Sequence, residues 1–268
     1  VSALGARAAV LMYHRVGLPF EPEEGDYALP PKSFERQMEL LASQRRAVVS
    51  LPALAAGTFR DGSVALTFDD GCETDATVVL PVLSALGFAA AFFINPGRLG
   101  RAGRLSWRQV EALAAAGMQI GSHGLDHTLL DGLPAPELER QLAFSKSLLE
   151  ERLGREVDAL SLPGGTGGRR ALAMARALGY RLVLGSQPGL VRSWAVPSLF
   201  PRYAIRSGLG LDGFRALVEQ RAAFRLAQAL RHGALHLLRA GLGQDAYARW
   251  RATRLARRNR SRRPVGEA

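Results

Sequence analysis

Ser63-Val64-Ala65-Leu66-Thr67-Phe68-Asp69-Asp70-Gly71 is the stretch on which the fold turns. The uncharged run from Ser63 to Phe68 is rich in apolar and β-branched side chains and reads as a buried strand. Two acids and a glycine close it. Neighbouring residues on a strand point to opposite faces, but a glycine directly after the second acid lets the chain turn and bring both carboxylates to one place. Parallel α/β folds build their sites at such C-terminal strand ends. One carboxylate can then bind a metal while the other holds or deprotonates its water. The plainer alternative is a solvated turn with one aspartate capping a helix.

On either side of this stretch, short apolar runs alternate with helical periodicity. Strands are expected at Ala8–Tyr13, Val48–Ser50, Phe88–Ile94, Met118–Gly121, Ala159–Leu162, Tyr180–Leu184 and Tyr203–Ile205. Helices are expected at Pro31–Arg45, Leu51–Ala56, Ala76–Leu86, Trp107–Ala116, Pro136–Leu153 and Arg169–Leu178, several of them stopped by glycine. The alternation predicts an α/β fold, a distorted (β/α) barrel of about seven strands over residues 1–211. Residues 212–268 read as a helical extension, with Phe214, Leu217, Phe224, Leu230 and Leu237 at helical spacings and a basic, disordered end. The uncharged segment Ala76–Gly97 is long enough to suggest a membrane span. Pro81, Gly87, Asn95 and Pro96 interrupt it, so helix, stop and buried strand is the better parse.

Two further motifs follow strands. His123-Gly124-Leu125-Asp126-His127 places two of the five histidines four residues apart, a spacing that on a helical turn brings both imidazoles to one ion. With Asp70 they make the three-ligand, open-position set of a catalytic divalent metal; a pair of surface histidines is the bland alternative. Leu160-Ser161-Leu162-Pro163-Gly164-Gly165 forms a turn whose Gly164 N–H could face a developing oxyanion, as any Pro-Gly-Gly turn could.

In this order and spacing the three motifs resemble the NodB-homology polysaccharide deacetylases, carbohydrate esterase family 4, over roughly Ala8 to Ile205. Phe92-Phe93-Ile94, Trp107, Leu130 and Leu133 add to the likeness. The resemblance implies a distorted (β/α) barrel and a divalent metal, commonly zinc, with other divalent transition metals open. It also implies Asp69 as general base, Asp70, His123 and His127 as metal ligands, and a glycan bearing N-acetylhexosamine as substrate and partner. Several positions depart from the family pattern. Gly124 stands where Ser or Thr is frequent. Ser161 stands where many members carry an arginine that holds the base; Arg202 is a candidate substitute, with a plain surface arginine as the alternative. Trp194 is a loose match to the tryptophan that supports that arginine. The late Leu-x-His motif is missing, and His232 and His236 match it poorly. However, Leu11-Met12-Tyr13-His14-Arg15-Val16 is similar to the opening of the circularly permuted poly-N-acetylglucosamine deacetylase branch, which implies His14 as the catalytic acid.

Composition narrows the alternatives. With 47% hydrophobic and 22% charged residues the 268-residue chain is an ordinary globular one. Its single cysteine, Cys72, excludes an intrachain disulfide and a cysteine-based zinc site and reads as a bystander. Net charge is +11, and all but two of the cations, Lys32 and Lys146, are arginines. The run from Arg251 to Arg263 reads as a solvated tail, an anionic-membrane contact or an acidic-polymer contact; few aromatics interleave it, so nucleic acid is disfavoured. No signal peptide or transmembrane helix is expected, which favours a cytoplasmic or membrane-peripheral place. Besides deacetylation, two functions stay open on the same fold: hydrolysis of another non-peptide C–N bond, and carbohydrate binding by a catalytically impaired chain.

Overall fold

The computed structural model describes residues 5–20, 24–195 and 197–242. Eight strands form one sheet: β1 (Arg7–Tyr13), β2 (Ser63–Phe68), β3 (Ala90–Ile94), β4 (Gln119–Ser122), β5 (Ala159–Ser161), β6 (Leu182–Leu184), β7 (Leu190–Arg192) and β8 (Tyr203–Ala204). Strands β6-β5-β4-β3-β2-β1 run in that spatial order and in parallel. β8 pairs in parallel with the upper half of β1, Leu11 opposite Tyr203. Phe200, three residues earlier, makes a parallel bridge to Leu184 at the end of β6. Residues 200–204 therefore reach from the last strand of the row back to the first, and seven parallel strands curl into a distorted (β/α) barrel. β7, absent from the sequence-based expectation, runs antiparallel along the lower half of β1.

The helices are α1 (Pro31–Ser43), α2 (Leu51–Ala55), α3 (Leu80–Leu86), α4 (Trp107–Ala115), α5 (Ala135–Leu153), α6 (Gly168–Ala177), α7 (Gly210–Val218) and α8 (Ala222–Leu242). Local signals explain their ends. Ser106 accepts from Gln109 N–H, and the Gln109 side chain accepts from Ser106 N–H, a reciprocal cap that starts α4. Gly87 closes α3 at φ 64°, a conformation that favours glycine. The segment expected to start a helix at Ala76 is a π-helical turn, Asp75–Val79, before α3 begins. Val48–Ser50 is not a strand; Val48 makes only a bridge to Val64.

Period-two alternation divides the core. Ala9, Leu11 and Tyr13 of β1 and Val64, Leu66 and Phe68 of β2 face outward onto the helices, among Phe34, Met38, Leu113 and Leu142. Ala8, Val10, Ala65 and Ala91 face the barrel interior with Phe93, Leu184 and Phe200, and Leu51 and Leu54 of α2 pack against this inner set. Alanines leave the room that the Phe93 and Phe200 rings fill. Gly121 is needed for the same reason: a Cβ there would stand 2.6 Å from the Phe93 ring and 2.9 Å from Ala159 O. Asp69 continues the inward-facing series Ala65, Thr67, so the pleat itself aims its carboxylate into the mouth of the barrel.

Phe214, Leu217 and Val218 of α7 are buried in the outer core. Among the described residues, no helix is long and apolar enough to cross a membrane.

Candidate active site

The chain turns sharply after β2. Asp70 has φ 77° and Gly71 φ 58°, so two consecutive left-handed residues swing the second carboxylate round beside the first. Asp69 N–H donates to Tyr13 O at 3.0 Å, which ties the acid pair to the end of β1. The loop after β4 turns comparably, with Gly124 at φ 73° and His127 at φ 71°. His123–His127 is thus an irregular bend and not the helical turn that the spacing suggested. Residues from β3 and α5, together with the adjacent Ser122, hold it. Asn95 Nδ2 donates to the carbonyls of His123 and Gly124, Gln141 Oε1 accepts from Leu125 N–H at 3.0 Å, and Ser122 Oγ accepts from Gly124 N–H at 3.1 Å. A Cβ on Gly124 would lie 3.3 Å from Pro163 Cγ, a tight contact in addition to its positive φ. Glycine here, in place of the family's frequent Ser or Thr, follows from both.

The two bends bring three ligand atoms together. His123 Nε2 and His127 Nε2 each lie 3.3 Å from Asp70 Oδ1. For bonds of about 2.0–2.1 Å, the edge of a tetrahedral ligand set is about 3.3 Å. All three atoms fall within 4.8 Å of one another. Asp70 Oδ1 is buried without a hydrogen-bond partner, a costly state for a carboxylate oxygen unless a cation meets it. His123 Nδ1 lies 2.8 Å from Ser161 O, so a proton there donates to the carbonyl and leaves the Nε2 lone pair facing Asp70. Burial, only partly offset by Asp70, lowers the His127 pKa to about 4, so that imidazole is a neutral ligand near pH 7. Burial lowers His123 too, but Asp69 and Asp70 outweigh it and raise its pKa above the ordinary value. These residues fit a divalent cation in number, donor type and spacing.

Asp69 sits beside this trio in a different environment. Arg202, with a fully buried side chain, grips it with both arms of the guanidinium: Nη1 to Oδ1 and Nη2 to Oδ2, both 2.8 Å. Arg202 also donates to Ser161 Oγ (2.7 Å), Gly185 O (2.7 Å) and Thr67 Oγ1 (3.3 Å), and Ser161 Oγ donates to Asp69 Oδ2 at 3.0 Å. Burial pushes the Asp69 carboxyl upward, but Arg202 and His123 outweigh it and hold the pKa below the ordinary value. Ser161, at the position where the family's arginine was expected, therefore touches the base only with a hydroxyl, and the guanidinium arrives from the segment joining β6 to β1. Trp194 is half exposed, with Arg192 over its ring.

His14 follows β1, its ring tilted by 41° against Tyr27 with centroids 4.4 Å apart, and Arg206 lies 4.8 Å from the Tyr27 centroid. His14 Nδ1 is buried without a partner. Burial lowers its pKa, against the attraction of Asp70 and Asp69. Gly164 lies in the turn after β5 at φ 66°, exposed, with Leu129 of the neighbouring loop 2.7 Å from where a Cβ would be. Cys72 is buried. Burial, then Asp75 and Asp70, push its thiol well above the usual range, which makes it a poor nucleophile and a poor ligand. Asn95, Gln141 and the Ser161 carbonyl are the positioning groups that sequence reasoning missed. Only a glance at polar residues inside apolar runs could have flagged them.

An arginine-gripped carboxylate beside an Asp/His trio, at the mouth of a parallel barrel, is an arrangement suited to metal-assisted hydrolysis. Residues 56–183 match the family model for polysaccharide deacetylase, and the relatives and solved structures that the chain resembles include NodB/CE4-type deacetylases. It is 25% identical over 219 residues to a putative polysaccharide deacetylase, YxkH, of Bacillus subtilis, covering 80% of this chain and 77% of that one. A chitin deacetylase of Pestalotiopsis sp. is 29% identical over 140 residues, 52% of this chain and 47% of the relative. Among solved structures, IcaB from Ammonifex degensii is 26% identical with a TM-score of 0.68, over 80% of this chain and 97% of that one. The deacetylase PplD of Streptococcus pyogenes shares the fold at 21% identity, TM-score 0.70, over 79% and 97%.

Proposed function

We propose that this deacetylase removes the acetyl group from N-acetylhexosamine units of a glycan, with a divalent cation held by Asp70, His123 and His127. Zinc suits the donor set of two imidazoles and one carboxylate, and other divalent transition metals suit it nearly as well. When bound, the cation supplies Lewis acidity, which polarises the acetamide carbonyl and makes water a stronger acid. The single observation that carries the reading is the 3.3 Å spacing of both Nε2 atoms from a buried, unpartnered Asp70 oxygen.

The chain's own residues supply the rest. Asp69, kept ionised by the Arg202 fork, accepts the proton of the attacking water. That fork also stops the carboxylate from rotating into the ligand set, so the two aspartates keep separate tasks. The Gly164 N–H, on the exposed turn after β5, is the candidate donor to the oxyanion. His14 is the candidate donor to the departing amine. Because burial holds its pKa low, it is neutral near pH 7 and must receive a proton during the cycle, with the Asp69 carboxyl as the nearby source. Breakage of the C–N bond then yields acetate and the free amino sugar.

An impaired, purely binding protein was suggested by the missing motif arginine, and Arg202 removes that motive. The barrel unit is best drawn through α7, since Phe214, Leu217 and Val218 share its core, which leaves α8 as the start of the extension. Acetate release from N-acetylglucosamine oligomers, with and without a chelator, tests the function. Chelator-sensitive release that Asp69→Asn abolishes supports it. Release that survives Asp69→Asn, or the paired His123→Ala/His127→Ala change, refutes the residue roles.

A further inference from the structure

α8 carries a second apolar stripe on the side turned away from the barrel. At about 100° per residue, Leu226, Leu230 and Leu237 lie within about 40° of one another on its surface. They are 62%, 66% and 73% exposed. Ala223, Ala227, Gly233 and Ala234 fill the same sector, all exposed, so the outward face carries no charge. The other side is mixed, and its Phe224, about 160° round from Leu226, packs on the outer core. Gln228, Arg231, His232 and Leu235, roughly 140–240° round from Leu226, line a pocket against Tyr203 and Arg206 of the barrel rim. The helix is thus seated by Phe224, Gln228 and Leu235 on one side, which leaves the Leu226–Leu230–Leu237 stripe outward.

A water-exposed stripe of three leucines invites a cover, and the charge pattern says which. From Gln220 to Gln244 the sequence holds no acidic residue, and Arg249 to Arg263 then adds eight arginines with no acid among them. A charge-free apolar face flanked by cations is the pattern of a helix lying in the plane of a bilayer interface, and arginine clusters favour an anionic leaflet. A second copy of this chain would instead bring one arginine-rich segment against another. We infer that α8 is an interfacial helix that seats the enzyme on an anionic lipid surface through Leu226, Leu230 and Leu237, aided by the arginines that follow. The pocket shared by α8 and Arg206 puts that surface beside the rim carrying Tyr27 and His14, so glycans held at a membrane would lie near the mouth. The inference stands whether or not the deacetylase mechanism above is right.

The test is co-sedimentation of the full chain with vesicles of phosphatidylcholine containing phosphatidylglycerol, and with phosphatidylcholine alone, at low and high salt. Wild type is expected to pellet with the anionic vesicles only, and less at high salt. Leu226→Gln/Leu230→Gln/Leu237→Gln should need at least tenfold more lipid for half-binding while its melting temperature and acetate release on soluble oligomers stay unchanged. A Leu230→Trp variant should shift its fluorescence to the blue on adding anionic vesicles. Wild type that stays in the supernatant overturns the inference. So does a triple variant that pellets like wild type, which would leave the arginines alone responsible. A triple variant that merely turns a dimer into a monomer, with no lipid binding by either protein, would identify a second copy as the true cover and equally refute the proposal.

Discussion

Replacing Arg202 with methionine isolates the device that keeps Asp69 ionised. The guanidinium donates to five oxygens, two of them on Asp69, and both side chains are essentially buried. Removing one partner of a buried pair costs about 3–5 kcal/mol, chiefly because the other charge is stranded. At about 2–4 °C per kcal/mol for a domain of this size, the melting temperature should fall by roughly 6–20 °C. Without the cation, burial is left to raise the Asp69 pKa, so the acid limb of the pH–rate profile should move to higher pH. The same logic has a sign for stability. A carboxyl depressed in the folded state stabilises above its unfolded pKa, near 3.8, and that contribution disappears as pH falls through the folded value; Arg202→Met should erase this acid-side loss. The pair Arg202→Met/Asp69→Asn removes the stranded charge, and a double-mutant cycle by chemical denaturation should return at least about 2 kcal/mol of coupling. Coupling near zero, together with an unmoved acid limb in acetate release, would refute the clamp.

Three other substitutions have equally definite expected effects. Asn95→Ala removes the side-chain donor to the His123 and Gly124 carbonyls and should lower zinc affinity, measured by calorimetry, about 10–100-fold, with a fall in melting temperature of roughly 2–12 °C. Gly165→Ala sets a Cβ 1.9 Å from Ser186 Oγ at φ 71°, so it should cost at least about 2 kcal/mol by denaturant titration. Asp75 has both carboxyl oxygens buried without partners, and burial followed by Asp70 raises its pKa well above 3.8. Between about 3.8 and its raised folded value the native Asp75 stays protonated while the unfolded chain ionises, so native stability falls as pH rises through that window, by up to about 1.4 kcal/mol per pH unit. Asp75→Asn should lack that decline, so its advantage over wild type, read from melts across pH, should grow from acid to neutral conditions.

Much of this was written locally in the chain. The acid pair and the histidine pair each sit on one short segment after one strand, so contiguous residues carried the reading of the barrel and its mouth. What escaped depends on long-range partners. Arg202 is 133 residues from Asp69, and an isolated arginine before a two-residue strand gives no sign of whether it is buried or solvated. The His123–His127 bend was expected as a helical turn because spacing alone suits one. Its real shape is set by Asn95 and Gln141, which reach it from β3 and α5 and mean nothing until those elements are adjacent. β7 was invisible since three residues are too few to show a period. The Arg251–Arg263 segment lies outside the described residues, and its roles remain those argued from sequence.

The stretch from Phe200 to Tyr203 bridges the first and last strands of the barrel and carries Arg202 between those two contacts. Fastening the wall and fixing the base are therefore one event. If that seam breathes, the guanidinium leaves with it, and a carboxylate loses its counter-charge at the instant the cylinder gapes. Turnover should then report on the integrity of that joint, and lengthening or shortening the chain between Phe200 and Tyr203 should silence the chemistry.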